Sequence, residues 1–387
     1  MGIAVLYIER FLDLELPAGK SCFLWGARQT GKTTYLKKIF PDAKIIDLLQ
    51  ADVFQRYLLN PHFLREELTV ESKETLIIID EVQKVPALLD EVHGLIEAGY
   101  QFILCGSSAR RLKSTGANLL GGRAWRYHFL PLCYPELKEL NWGKIFNNGL
   151  IPNHYLSKAP NKEFAAYLYD YVLSEVQYEA QLRKRESFAR FMDILGTCQG
   201  EMISYTNIAR DCGVDKKTVR SYFEILEDMY LGYFLYPYKN KGKRQTIQEQ
   251  PKFYLFDTGV ASYLKQLTWT AMRGTDAGQA FEHYIFLELM AYKLLNDKRD
   301  DITYWRTKEG LEVDFLVQEL AFEVKMTDKV QQRHLKGLQA FGEEHDFVLN
   351  VISLETTKRV MSIDNQKVII WPVEEFLKEL WANKMWI

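Results

Sequence analysis

Gly26-Ala27-Arg28-Gln29-Thr30-Gly31-Lys32-Thr33 satisfies G-x-x-x-x-G-K-[ST] at every fixed position, and its flanks give the pattern mechanical meaning. Upstream, Ser21-Cys22-Phe23-Leu24-Trp25 is a short apolar run that reads as a buried strand. Downstream, Thr34 to Phe40 has helical spacing, with Tyr35, Leu36 and Ile39 on one stripe. A strand, a glycine-bearing loop and a helix N-terminus make a phosphate cradle, because curled backbone N–H groups and the helix dipole both present positive potential. The expectation is an ATP site over Gly26, Ala27, Arg28, Gln29, Thr30, Gly31, Lys32, Thr33 and Thr34. Lys32 would reach the β- and γ-phosphates, and the Thr33 hydroxyl would hold Mg²⁺. A chance match in an ordinary strand-to-helix turn is the bland alternative, and the flanking context argues against it.

Such a site needs a carboxylate from a second buried strand. Thr75-Leu76-Ile77-Ile78-Ile79-Asp80-Glu81 supplies one, its unbroken aliphatic run suiting a parallel strand covered on both faces. Asp80 is expected at the sheet edge, holding the magnesium through water. Glu81 is expected to act as the catalytic base that polarises the attacking water.

A third strand, Gln101 to Gly106, ends in Ser107-Ser108-Ala109-Arg110. Those groups either sense the γ-phosphate or simply begin a polar loop. Gly121-Gly122-Arg123 and Leu130-Pro131-Leu132-Cys133-Tyr134-Pro135-Glu136-Leu137 follow. Together these segments resemble prokaryotic AAA-family ATPases with a C-terminal domain of unknown function. The resemblance implies that Arg123 is a sensor or arginine finger near the γ-phosphate, in its own subunit or, in a homo-oligomer, in a neighbour's. The alternative is a salt bridge from Arg123 to Glu136 or a nearby carboxylate.

At 387 residues the chain has room for several cores, and 47% hydrophobic with 26% charged residues is ordinary for a globular protein. A net charge of −2 argues against wholesale nucleic-acid coating, so any such contact needs a local basic patch. The five cysteines are scattered without a C-x-x-C pair, which disfavours zinc ribbons and a disulfide framework. No apolar stretch is long enough to span a bilayer and no secretory signal is apparent, so a cytoplasmic protein without membrane attachment is expected.

Four regions are expected: an ATPase domain over 1–140, a tyrosine-rich helical connector or lid over 141–185, and two further modules over 186–265 and 272–387. Ile203 to Asp211, Cys212-Gly213-Val214 and Asp215 to Phe223 read as a helix-turn-helix, with Gly213 at the turn and Asp215 as N-cap. Two strands, Gly232–Tyr238 and Pro251–Phe256, flank a basic turn, completing a winged helix. Lys216, Lys217, Thr218 and Arg220 open the second helix, where base edges and phosphates are met. Lys241, Lys243 and Arg244 would track the backbone of a nucleic acid, DNA before RNA. A protein-docking role for the same module stays open.

In the last region Gly274 to Gly278 reads as a hinge before a helix to Leu295 carrying Glu282. Alternation places Glu312 and Asp314 on one strand face, then Glu323 and Lys325 on one face of the next. Three acids and a lysine converging would suit Mg²⁺ or Mn²⁺ and phosphodiester hydrolysis. The set Glu282, Asp314, Glu323 and Lys325 resembles the PD-(D/E)xK nuclease superfamily, with Asp314 and Glu323 as metal ligands. Surface ion pairs on a half-buried sheet are the plain alternative. The fold expectation is α/β throughout: a P-loop parallel sheet, a winged helix-turn-helix, then a restriction-endonuclease-like domain. Functionally, an ATP-hydrolysing machine acting on nucleic acid leads, against an ATP-dependent switch with a non-cutting C-terminal scaffold and a protein partner.

Overall fold

The computed structural model describes residues 7–110, 112, 120–180, 185–239, 246, 250–363 and 366–386. Its first sheet has five parallel strands, β1 (Ser21–Trp25), β2 (Lys44–Asp47), β3 (Leu76–Asp80), β4 (Gln101–Gly106) and β5 (Ala124–His128), in the order β2-β3-β4-β1-β5. Parallel pairing needs crossovers, and the helices Lys32–Ile39 and Leu88–Glu97 are two of them. Cys22, Leu24, Ile78 and Ile103 pack on one face of this sheet; Phe23, Ile77, Ile79, Phe102 and Leu104 pack on the other. Both faces are covered, as the aliphatic runs require.

Residues 151 to 261 contribute to a second core. Phe164, Tyr167 and Val176 share it with Phe188, Phe191, Val219, Phe223 and Phe253. Helices Pro152–Leu156, Pro160–Ala165 and Leu173–Ala180 thus pack in one body with the helix pair Tyr205–Cys212 and Lys216–Asp228. Between them Ala166–Val172 is wound as a π-helix. The helix pair is followed by antiparallel strands β6 (Gly232–Pro237) and β7 (Lys252–Leu255).

Those two strands do not stand alone. β6 pairs in parallel with β8 (Thr303–Arg306) through Tyr236↔Thr303 and Pro237↔Tyr304, so the hairpin extends a sheet of eight strands. The others are β9 (Glu312–Val317), β10 (Leu320–Lys325), β11 (Val348–Ser353), β12 (Arg359–Ile363) and β13 (Gln366–Pro372), in the order β12-β13-β11-β10-β9-β8-β6-β7. The helix Thr275–Leu295 packs on this sheet. It begins directly after Gly274 and runs through Gly278, so the expected hinge is the first turn of a helix.

The segment after β5 straps the first sheet to the last domain. Leu132, Ile145, Phe146 and Leu150 pack among Phe281, Tyr284, Ile285 and Phe376. Glu288, 1% exposed, accepts from Tyr134 N at 2.9 Å and from Trp381 Nε1 at 2.8 Å. Its burial pushes the carboxyl up to about 7. The folded state therefore prefers the protonated form, whereas the unfolded chain ionises near the ordinary value of 4.5. Stability from this group is full below the unfolded value and is lost as pH rises through about 7, by about 3 kcal/mol in total. Glu288→Gln, which mimics the neutral form, should match the wild type in urea midpoint at pH 5 and exceed it at pH 8. An identical gap at both pH values would show that Glu288 titrates normally.

Candidate functional site

Gly26 and Gly31 shape the phosphate loop for different reasons. A Cβ on Gly26 would lie 1.9 Å from the Phe129 carbonyl oxygen, so the strap admits no side chain there. Gly31 has φ +98°, in the left-handed region, and caps the helix beginning at Lys32. Lys32 Nζ donates to the Gly26 and Ala27 carbonyls at 2.8 and 2.9 Å, which holds the ammonium under the arc of the loop. Thr33 and Thr34 follow at the mouth of a cavity of about 310 Å³, also lined by Arg10, Arg28, Gln29, Thr30, Lys32 and Glu81.

The parallel register brings the acidic pair to this mouth. Asp80 ends β3, and its Oδ2 accepts from Thr33 Oγ1 at 2.6 Å. A hydroxyl and a carboxylate meeting at one point suit a hard cation, so Thr33 and Asp80 fit Mg²⁺ as the residues that would hold it. Glu81 adopts the left-handed conformation (φ 57°, ψ 45°) and is 5% exposed. Its Oε2 accepts from Ser107 Oγ at 3.0 Å and from Gln83 Nε2, which also donates to Ser107 at 3.1 Å. Ser107 thus contacts the expected base. Ala109 and Arg110 leave the site: Ala109 N donates to the Asp228 carbonyl at 3.4 Å, and Arg110 pairs with the Asp228 carboxylate at 2.9 Å. Asp228 ends the second helix of the helix pair.

Two loop side chains are held by the middle body. Gln29 (φ 64°) lies 3.1 Å from Nε2 of the buried His154, whose burial lowers it to about 4 and keeps it neutral. Arg28 stacks on Tyr171 at 4.6 Å and pairs with Glu175 at 3.2 Å. Burial opposes the Arg28 charge, but Tyr171, Glu81 and Glu175 together outweigh it and hold the guanidinium protonated. With side chains 30% and 18% exposed, the Arg28–Glu175 pair is worth ~0–1 kcal/mol. Arg10 is committed elsewhere: it pairs with Glu136 at 2.9 Å and donates to the Thr30 and Leu130 carbonyls at 2.8 and 2.7 Å.

Arg123 is not brought to the cavity of its own chain. β5 runs parallel to β1 with Ala124 opposite Ser21, so Arg123 sits where β1 begins, about 16 Å of strand from the loop. It pairs with the exposed Glu97 at 3.0 Å, and Glu136 is occupied by Arg10.

In the helix pair, Asp215 accepts from Thr218 N at 2.9 Å and from Thr218 Oγ1 at 2.8 Å, so Thr218 is engaged by the cap. Lys216, Lys217 and Arg220 are exposed, Arg220 lying over the Tyr205 ring at 5.2 Å. Lys241, Lys243 and Arg244 lie outside the described residues.

In the last domain, Asp314, Glu323 and Lys325 come together. Lys325 Nζ is 2.5 Å from Glu323 and 3.9 Å from Asp314, and Asp314 Oδ2 accepts from Val324 N at 2.7 Å. Burial pushes both carboxyls up, Asp314 to about 7 and Glu323 to about 8. Glu323 Oε2 is buried with no hydrogen-bond partner among the described residues, an oxygen suited to a cation. Glu282 belongs to the same charge cluster but is engaged differently: Tyr254 donates to it at 2.5 Å and Lys252 Nζ lies 3.6 Å away. Lys252 also pairs with Glu312, which Arg306 shares. Among the described residues no group of three or more His, Cys, Asp or Glu is arranged to hold a metal. No site role was expected for Lys252, Gln83, Tyr171, Glu175 or His154, although Tyr171 lies in the tyrosine-rich connector and Lys252 in the second strand of the hairpin. Only Gln83, two residues past Glu81, carried a local signal.

Comparison with known proteins agrees with the geometry of the first domain. Residues 18–138 match the family model of the AAA domain. Residues 141–271 match a domain of unknown function (DUF8612), and residues 277–376 another (DUF4143). Over 375 residues the chain is 23% identical to an uncharacterized protein of Methanocaldococcus jannaschii, covering 86% of this chain and 81% of that protein. These matches support an AAA-family P-loop ATPase domain followed by a C-terminal domain of unknown function. Among the described residues no helix is long and apolar enough to cross a membrane.

Lys252 is the counter-ion of two part-buried carboxylates and is itself 4% exposed. Lys252→Met should cost about 3–5 kcal/mol in chemical denaturation, because it strands Glu282, whereas Glu312 keeps Arg306. Adding Glu282→Gln to that variant should recover part of the loss; a loss unchanged by the second substitution would mean that packing, not charge, sets the effect.

Proposed function

We propose that the chain is a Mg²⁺-dependent ATPase that acts on nucleic acid, DNA before RNA. The helix pair and its hairpin would serve as a winged helix, and the last domain as a PD-(D/E)xK-like module. The observation that carries the ATPase reading is the meeting of Thr33, Asp80 and Glu81 at the mouth of the loop cavity.

In this reading the loop amides and Lys32 bind the phosphates. Held by Thr33 and Asp80, Mg²⁺ would neutralise charge on the β- and γ-phosphate oxygens. Glu81 takes a proton from the attacking water as its oxygen bonds to the γ-phosphorus. The bond from that phosphorus to the β–γ bridging oxygen breaks, ADP and phosphate leave, and the proton passes from Glu81 to solvent. Gln83 and Ser107 orient the Glu81 carboxylate. Arg123, remote from its own cavity, can meet a γ-phosphate only in a neighbouring copy, which makes its finger role one for a homo-oligomer.

On nucleic acid, Lys216, Lys217 and Arg220 are exposed on the opening turns of the second helix, where phosphate contact is made. Asp314 and Glu323 would hold a divalent cation, and Lys325 would stabilise charge developing on a phosphodiester. A second reading is favoured by Lys252, which takes up Glu282 and leaves two carboxylates rather than three. There the last domain is a non-cutting scaffold, and the protein is a nucleotide-gated regulator with a protein partner.

Lys32→Ala should abolish nucleotide binding in calorimetry, while Glu81→Gln should bind ATP and stop turnover; equal turnover by wild type and Glu81→Gln would mean that Glu81 is not the base. Incubated with Mg²⁺ or Mn²⁺, an ATP-competent preparation should cut DNA or RNA, and Asp314→Ala should end that activity. An ATPase that cuts neither supports the regulator.

A further inference from the structure

Three described cations line the loop cavity: Arg10, Arg28 and Lys32. Lys32 has its assigned phosphates, and Arg10 is spent on Glu136 and on backbone carbonyls. Arg28 remains, four residues before Lys32 and within electrostatic reach of Glu81. Its backbone is steadied by the neighbouring Gln29, which His154 contacts. Its guanidinium is held by a part-exposed carboxylate on the middle body and by the face of Tyr171. Tyr171 lies in the π-helical stretch Ala166–Val172, a winding that recurs at functional sites.

We propose that Arg28 is the arginine of the ATP site, a catalytic residue that grips the γ-phosphate within its own subunit and gives up Glu175 to do so. The proposal rests on the nucleotide reading above. A guanidinium favours a phosphate, which it meets with two parallel charge-assisted bonds, over a solvent-screened carboxylate. The exchange discriminates ATP from ADP, because only the triphosphate carries the group that Arg28 grips. It also reports that difference outward, since Tyr171 packs against the core that contains the helix pair, and Glu175 sits on the helix whose Leu173 and Val176 belong to that core. Tyr171, on which Arg28 stacks, and Glu81, which Ser107 holds, both lie within electrostatic reach of Arg28, so the arginine and the base share one neighbourhood. No bond forms or breaks at Arg28; it offsets negative charge gathering on the γ-phosphate oxygens as the water attacks.

The test uses the full chain, with fluorescent ADP, a non-hydrolysable ATP analogue and steady-state ATP turnover. Arg28→Ala should leave ADP affinity unchanged, weaken the analogue to the ADP level, and lower kcat by about 10³-fold, the scale of an arginine finger. Arg28→Lys should restore part of the discrimination. Glu175→Gln, which frees the guanidinium without touching the loop, should tighten the analogue and leave ADP unchanged. Equal weakening of ADP and analogue in Arg28→Ala, unchanged kcat, or no effect of Glu175→Gln would overturn the proposal while leaving the ATPase reading intact. A wild-type chain that binds neither nucleotide would instead sink that reading itself.

Discussion

Parallel pairing of β1 between β4 and β5 is the constraint on which the rest depends. Once Cys22 to Trp25 align with Ile103 to Gly106, and Ile77 to Ile79 with Phe102 to Leu104, three chain reversals fall at one end of the sheet. They are the phosphate loop after Trp25, the Asp80-Glu81 turn after β3 and the serine loop after Gly106. Hydrogen bonds then knit that end: Thr33 to Asp80, Gln83 and Ser107 to Glu81. The same register carries Arg123 to the other end, opposite the start of β1. One set of backbone pairings thus assembles the cavity and sets Arg123 apart from the cavity of its own chain.

The cavity is closed by chain from outside the first domain. His154 meets Gln29, and Tyr171 with Glu175 meets Arg28, so the middle body touches the loop at consecutive residues. On the far side Ala109 and Arg110 rest on Asp228. These contacts are individually weak, since the ion pairs are partly solvated. The strap behaves otherwise: the Arg10–Glu136 pair is almost fully buried, and removing one partner of such a pair costs about 3–5 kcal/mol. The loop is thus tied more firmly through the strap than to the middle body.

The last domain shows how a lysine changes the chemistry of an acid cluster. Asp314, Glu323 and Lys325 meet, and burial raises both carboxyls. Lys252 arrives from β7, a strand of the hairpin, and neutralises Glu282 and Glu312. Because β6 pairs with β8, the hairpin and the acid cluster are parts of one sheet. Any force on the hairpin is therefore transmitted to the strands that carry the acids.

Sequence alone determined the local pieces whose physics is local. The glycine loop, the aliphatic strand ending in Asp80-Glu81, the Asp215 cap and the alternation around Asp314 and Glu323 all depend on residues a few positions apart. Backbone sterics, helix capping and strand period act at that range, so these were legible. Gly274 to Gly278 was misread for the same reason, because glycines announce a turn locally and only packing on the sheet carries the helix through Gly278. Tertiary structure alone decided which side chains share a space. Lys252 is 60 residues from its partner Glu312, and Arg28 is 147 from Glu175. Such pairings arise from strand register and helix packing, where a contact depends on where whole elements come to rest, and no short pattern encodes that.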